Sequence, residues 1–299
     1  MTIPYSEPSA SLSELQSVLL DIYKEVRKIL ERHHLRYFAI GGTCIGAVRH
    51  HGFIPWDDDM DLALPEPDYH RFIDYARKEL PAYLEVFERR EHAHDPIDAA
   101  RVHNKNTTFI QKHELRYPEE YKGVFIDILP LCGVPESPDE QRAYCKKFCR
   151  YFRLNEKRRC DFTYLDRLPS KVLWLAALPF RLLPRDFWFR RLDKLKAQYP
   201  YDKMNLTGDT WVAHIDNILF SKSIYEKAVT FPFEDTEMAC SAEYDAYLTR
   251  IFGDYMTLPP EKDRGATQNA SIVLIDVNRP YTYYQQMYRQ EGRLKKEPV

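Results

Sequence analysis

The run "GVFIDILPL" over residues 123–131 sets one aspartate, Asp127, in the middle of an apolar stretch. Val124, Phe125, Ile126, Ile128 and Leu129 demand burial, and a carboxylate buried with them is costly unless a cation or hydrogen-bond donors meet it. The fold must therefore bring a partner to Asp127, or place it as a satisfied core carboxylate or a strand-end cap. A second run, "DDDMDLAL" over 57–64, holds further acids directly before an apolar strand pattern. On a strand, Asp59 and Asp61 at i and i+2 project to one face. Two anions so placed raise each other's pKa unless a cation neutralises them. Mg²⁺ or Mn²⁺ takes such oxygen ligands. By composition the run also fits a solvated acidic turn, against which its apolar flanks speak. Asp59, Asp61 and Asp127 are thus the candidate catalytic and metal-binding acids.

Upstream, "RYFAI" reads as a short strand that ends at Gly41-Gly42 and turns into a short helix over 43–49. Glycines there let backbone approach a phosphate, and the helix offers free N–H groups. Thr43 can add a hydroxyl and Arg49 a guanidinium. A glycine pair alone is usually a turn; followed by acids at strand spacing, it points to a nucleotide site.

Around this block the chain alternates. A capping box, Ser11-x-x-Glu14, opens an amphipathic helix with Leu15, Leu19, Ile22, Val26 and Ile29 at helical spacing. "MDLAL" reads as a strand ending at Pro65, and "PEPDYHRFIDYARKEL" as the next helix. Further strands are predicted at 84–88, 99–103, 107–111 and 123–131, and a helix at 138–160. The class is α/β (α+β), with a core over 1–135 and a mainly helical lobe over 136–299. Within the lobe, "VLWLAALPFRLL" is too short and interrupted to span a bilayer. It reads as lobe core. Alternatively, with Arg181, Arg185, Arg190, Arg191, Lys194 and Lys196 against only Asp186 and Asp193, it reads as a face lying on an anionic membrane.

Composition excludes some partners. Lys plus Arg number 43 against 45 Asp plus Glu, a net charge of -2, so no nucleic-acid polymer is indicated. The first residues lack a basic and apolar leader pattern, giving a cytoplasmic expectation. Six cysteines without a CxxC pair read as reduced packing residues; "CKKFC" with Cys160 lacks a fourth zinc ligand. His92, His94 and His103 have metal-like spacing, though an exposed polar loop explains the first two as well.

"YFAIGGTCIGAVRHHGFIPWDDDMDLAL" resembles the signature of the LicD family, bacterial phosphocholine transferases related to fukutin and fukutin-related protein. "NKNTTFI", "GVFIDILPLCGVP" and "YLTRIFGDYMTLPPEKDR" resemble later blocks in the same order, so the likeness spans residues 12 to 264. The resemblance implies a nucleotidyltransferase-like mixed sheet with flanking helices. It implies transfer of a phospho-alcohol from a CDP-activated donor to a hydroxyl of a glycan, lipid-linked glycan or teichoic acid precursor, releasing CMP. Phosphocholine from CDP-choline is the best-known cargo, with ribitol and glycerol phosphate as variants; transfer of a nucleotidyl group to a small molecule is the competing reaction. Carried over by position, Asp59 and Asp61 hold Mg²⁺ and Asp127 is the third acid and base. Gly41, Gly42, Thr43 and Arg49 then hold the donor diphosphate, with Arg101 and Arg264 as further binding residues. Two departures are Arg101, where relatives carry lysine, and "GATQN" after "PPEKDR", where a histidine is expected.

Overall fold

A computed structural model of the chain describes residues 10–91, 98–112, 114, 117–159, 171–172, 175, 179, 183–184, 186–209, 219–264 and 272–294. His92, His94, Cys160, Arg181, Arg185 and the 265–269 stretch lie outside these.

The first helix, α1 (Leu12–Arg32), starts where the capping box puts it. The Ser11 hydroxyl accepts from the Glu14 N–H at 3.2 Å, and the Glu14 carboxylate accepts from the Ser11 N–H at 2.7 Å. Leu15, Leu19, Ile22, Tyr23, Val26, Ile29 and Leu30 form its buried face. Then come β1 (Phe38–Ala39), α2 (Gly41–Ile45), a wider π-helical turn (Gly46–His50), β2 (Asp61–Pro65), α3 (Glu66–Glu79), β3 (Leu84–Glu88), β4 (Ala100–Asn104), β5 (Thr108–Gln111) and β6 (Phe125–Val134). The short helix takes in both glycines instead of starting at 43. Gly41, at φ 55°, makes the left-handed step that carries β1 directly into α2. Asp59 differs from expectation too: β2 begins at Asp61, so Asp59 lies in the loop before it.

The chain continues with α4 (Pro138–Arg159), α5 (Phe187–Lys196), β7 (Leu206–Asp209), β8 (Leu219–Ser221), the hairpin β9 (Ala228–Phe233) and β10 (Thr236–Ser241), α6 (Tyr244–Phe252), β11 (Ile272–Asp276) and α7 (Tyr281–Leu294). The architecture is mixed α/β. The main sheet runs β1-β2-β6-β4-β3, with β7 on the far half of β6 and β8 beyond it. Among the described strands of this sheet, only β2 and β6 pair in parallel; the other neighbours are antiparallel. The second half of the chain is therefore not helical alone: it adds β7 and β8 to this sheet, and β11 pairs with β5. α1 and α3 pack on each other and on β6, closing the main core.

A second core cluster joins α4 and α5 to β6 through Phe148, Phe189, Leu192, Leu195 and Val134. So α5 turns its apolar face inward, leaving Arg190, Arg191 and Lys194 exposed. A charged lock fixes it to the sheet edge. Lys196 reaches Asp98 at 2.7 Å, and Arg90 links Asp98 to Asp193, with Lys196 and Asp98 side chains only 9% and 12% exposed. Breaking one partner leaves an uncompensated charge in that setting. Lys196→Ala is expected to lower stability in urea unfolding by about 3 kcal/mol; a loss under about 1 kcal/mol would show the lock to be solvated.

Candidate active site

Strand register builds the centre. Asp61 on β2 is the Cα partner of Asp127 on β6, and Asp127 is the partner of Arg101 on β4, so a carboxylate, a carboxylate and a guanidinium stand in one row across three strands. Arg101 Nε donates to Asp127 Oδ1 at 3.0 Å, and Arg89 donates to the same oxygen at 3.3 Å. Both arginine side chains are 8% exposed. The Arg101 guanidinium also lies 3.6 Å from the Phe125 ring centroid, which fixes its plane. These are the partners that an acid inside an apolar strand requires. Arg89, in the turn after β3, carries no signal in the sequence beyond its charge.

The loop before β2 gathers the other acids. Asp57, Asp58 and Asp59 each bring a carboxylate oxygen within 4.8 Å of the others, and Asp57 and Asp58 are buried. Desolvation, then repulsion from Asp59 and Asp58, pushes the Asp57 carboxyl up to about 8. Burial, Asp58 and Asp127 push Asp59 up to about 6. Three crowded, desolvated carboxylates of this kind suit a hard divalent cation, which would relieve both penalties. Asp57 and Asp58 were not singled out in the sequence. Their burial follows from the turn at Ile54–Asp57 and from Gln16 of α1, which donates to the Ile54 and Asp57 carbonyls, not from any periodicity.

The glycines explain how this loop sits. A Cβ on Gly42 would come within 2.6 Å of Asp57 Oδ2, so a side chain there would displace the acid. The buried Thr43 hydroxyl accepts from the Asp61 N–H at 2.9 Å, tying α2 to the start of β2. The Asp127 N–H donates to the Met60 carbonyl at 2.9 Å, tying the loop to β6. His103 is fully buried, with Nδ1 accepting from the Gly123 N–H and Nε2 at 3.1 Å from Glu85, as a packed strand residue.

Beside the acids opens a cleft of about 500 Å³. Gly42, Arg49, Trp56 and Asp57 form one wall, and Phe252 to Pro260 contribute the other. Arg49 donates to the Tyr255 carbonyl and so braces the two walls; burial lowers its proton affinity. Arg264 places its guanidinium 5.1 Å from the Trp56 ring centroid at the same mouth. Residues more than 200 positions apart in sequence thus share one site: Arg49 with Tyr255, and Trp56 with Arg264.

Residues 34–135 match the LicD/FKTN/FKRP nucleotidyltransferase domain. Over 276 residues the chain is 29% identical to the lipopolysaccharide cholinephosphotransferase LicD of Haemophilus influenzae, covering 85% of this chain and 94% of that protein. Residues 34–135 are a LicD-type domain. Uncharacterised proteins of Rickettsia prowazekii and Rickettsia typhi are 29% and 26% identical over 34% of this chain, covering 41% and 34% of their own lengths. The LicD domain contains the acids, both glycines, Thr43, Arg49, Arg89 and Arg101, whereas Arg264 and the second wall lie beyond it.

Besides Gln16, a hairpin from beyond the LicD domain holds the acidic loop. Glu234, at the tip of the β9–β10 hairpin, donates its N–H to the His51 carbonyl at 2.9 Å, and its Oε1 accepts from the Phe53 N–H at 3.0 Å. Both Glu234 and His51 sit in the left-handed region, at φ 54° and 56°. The hairpin is in turn fastened to α1 by Lys24–Asp235 and Arg27–Glu237. Glu234 is a positioning residue for the loop that presents Asp57. Glu234→Ala is expected to weaken divalent-ion binding roughly tenfold, while Glu234→Gln, whose amide oxygen still accepts from Phe53, retains it. Equal weakening by both, or by neither, in a calorimetric titration would remove Glu234 from this task.

The acids also set the pH response. Folded Asp57 and Asp59 hold protons above the ordinary value of 3.8, so between the two values the folded state binds more protons than the unfolded one. Stability then falls as pH rises. The Tm of metal-free protein is expected to drop from about pH 4 to about pH 8, and millimolar Mg²⁺ to reduce the slope. A Tm that climbs across this window without metal would contradict the burial of these acids.

Proposed function

We propose that the protein transfers phosphocholine from CDP-choline to a hydroxyl of a lipopolysaccharide-type glycan, releasing CMP. The observation that carries this reading is the cleft in which Gly42 and Arg49 face Asp57, beside Asp59, Asp61 and Asp127, in a chain similar along most of its length to a lipopolysaccharide cholinephosphotransferase. In such a reaction the acceptor oxygen forms a bond to the choline-bearing phosphorus, and the bond from that phosphorus to the oxygen bridging it to CMP breaks. Phosphoryl transfer of this type asks mainly for positioning and charge neutralisation.

The residues present suit that task. Asp57, Asp58 and Asp59 would hold Mg²⁺ or Mn²⁺, with Asp61 beside them; the ion would neutralise charge on the diphosphate. Gly42 lets the backbone of α2 approach the diphosphate, while Arg49 and Arg264 supply positive charge at the cleft. Arg89 and Arg101, which share Asp127 Oδ1, would fix the orientation of that carboxylate. Asp127, outside the Asp57–Asp59 set and oriented through Oδ1 by Arg89 and Arg101, accepts the proton of the attacking hydroxyl.

Purified protein with Mg²⁺ and a panel of CDP-alcohols is expected to release CMP with CDP-choline only when a glycan acceptor is supplied. Release of pyrophosphate from CTP instead would make it a nucleotidyltransferase. Asp59→Asn is expected to abolish turnover without lowering the Tm, and Asp127→Asn to abolish it while lowering the Tm, because the buried Arg89 and Arg101 lose their counter-charge. Arg49→Ala is expected to raise the donor KM by roughly ten- to hundredfold, the equivalent of one charge-assisted phosphate contact.

A further inference from the structure

The two ends of the cleft differ in chemistry. At the inner end stand Gly42, Arg49 and Asp57. The outer end is bordered by Phe252 and Leu258, each 46% exposed, and by Asp254, Pro259 and Pro260. Met256, 54% exposed, lies on the same loop, so three of the six exposed large hydrophobics among the described residues fall within seven positions of one cleft wall. Scattered exposed apolar residues need no explanation, but a group at the mouth of a binding cleft does.

The side-chain donors of this wall are already engaged. The Thr257 hydroxyl donates to Asp254 Oδ2 at 2.6 Å, and the Tyr255 hydroxyl to Asp245 at 2.7 Å. The Tyr255 carbonyl accepts from Arg49 and the Pro259 carbonyl from Arg264. Pro259 and Pro260 have no N–H to offer. Thr257 and Tyr255 are the only side-chain donors from 252 to 260, and both are taken. What remains is an apolar surface with one carboxylate, Asp254, whose charge the hydrogen bonds from Thr257 favour.

We infer that the outer end of the cleft is a subsite for a trimethylammonium headgroup, walled by Phe252 and Leu258 and balanced by Asp254, and that it selects choline over polyols in the donor. This rests on the transferase reading above. A trimethylammonium group has no N–H to satisfy, sheds its hydration readily and gains from aromatic faces and a nearby anion. A ribitol or glycerol chain would bring several hydroxyls to a wall with no free side-chain donor and one carboxylate to accept from them, and each unmet hydroxyl carries a desolvation cost.

The test measures Kd, with Mg²⁺ present, for CDP, CDP-choline, CDP-glycerol and CDP-ribitol. Proteins compared are the wild type, Phe252→Ala, and Phe252→Ala with Leu258→Ser; both side chains are exposed, so the fold should tolerate their loss. Wild type is expected to bind CDP-choline roughly tenfold more tightly than CDP, and Phe252→Ala to bring that ratio close to one. A ratio unchanged in the double variant overturns the subsite. A wild-type preference for CDP-glycerol or CDP-ribitol overturns the subsite together with choline as the cargo and leaves only CDP-alcohol transfer standing, whereas no binding of any CDP compound overturns the transferase reading as well.

Discussion

Mutual repulsion among buried carboxylates is the constraint around which the rest of the molecule is arranged. Asp57, Asp58 and Asp59 crowd one loop, with Asp61 and Asp127 on adjacent strands beside it. Such a group holds together only because other elements fix the backbone that carries it: Thr43 on Asp61, Met60 on Asp127, Gln16 on the Ile54 and Asp57 carbonyls, and Glu234 on Phe53. The protein spends four separate anchors on a loop of about ten residues. Strain and like-charge contact of this density are found where a ligand is to supply the missing counter-charge.

The positive charges are divided in a complementary way. Arg89 and Arg101 are buried against Asp127, whereas Arg49 and Arg264 stand at the cleft, each also bracing a neighbouring segment. Arginine suits this double duty, because its planar fork can hold a carbonyl or carboxylate with one edge and meet phosphate with another. The lobe beyond residue 135 matters for the same reason: it adds strands to the sheet, a hairpin that steadies the acidic loop, and the second wall of the cleft.

Much of this was legible in the sequence where a periodicity or a cost could be read. The capping box fixed the start of α1, the alternation of "MDLAL" and "GVFIDIL" marked β2 and β6, and the cost of burying Asp127 announced a charged partner, which proved to be Arg101 with Arg89. The i, i+2 argument placed Asp61 correctly on its strand but carried Asp59 into a strand that starts two residues later. Asp57 and Asp58 were missed because their burial comes from tertiary anchors, which leave no pattern in the local sequence. Glu234 was invisible for the same reason: its left-handed conformation and its two bonds to the 51–53 turn exist only once a distant hairpin has docked. The strands of the second half were hidden by their brevity, β7 and β8 having four and three residues.

Whether the carboxylate loop is a cation site can be read directly with terbium, a hard oxygen-seeking ion excited through nearby indole. Trp56 adjoins Asp57 in the chain and lines the same cleft. Titration of the wild type should give saturable sensitised emission that Mg²⁺ or Mn²⁺ competes away, that Trp56→Phe dims, and that Asp57→Asn with Asp59→Asn abolishes. Emission no stronger than in buffer, or unaltered in the double aspartate variant, would contradict the cation site on which the proposed chemistry depends.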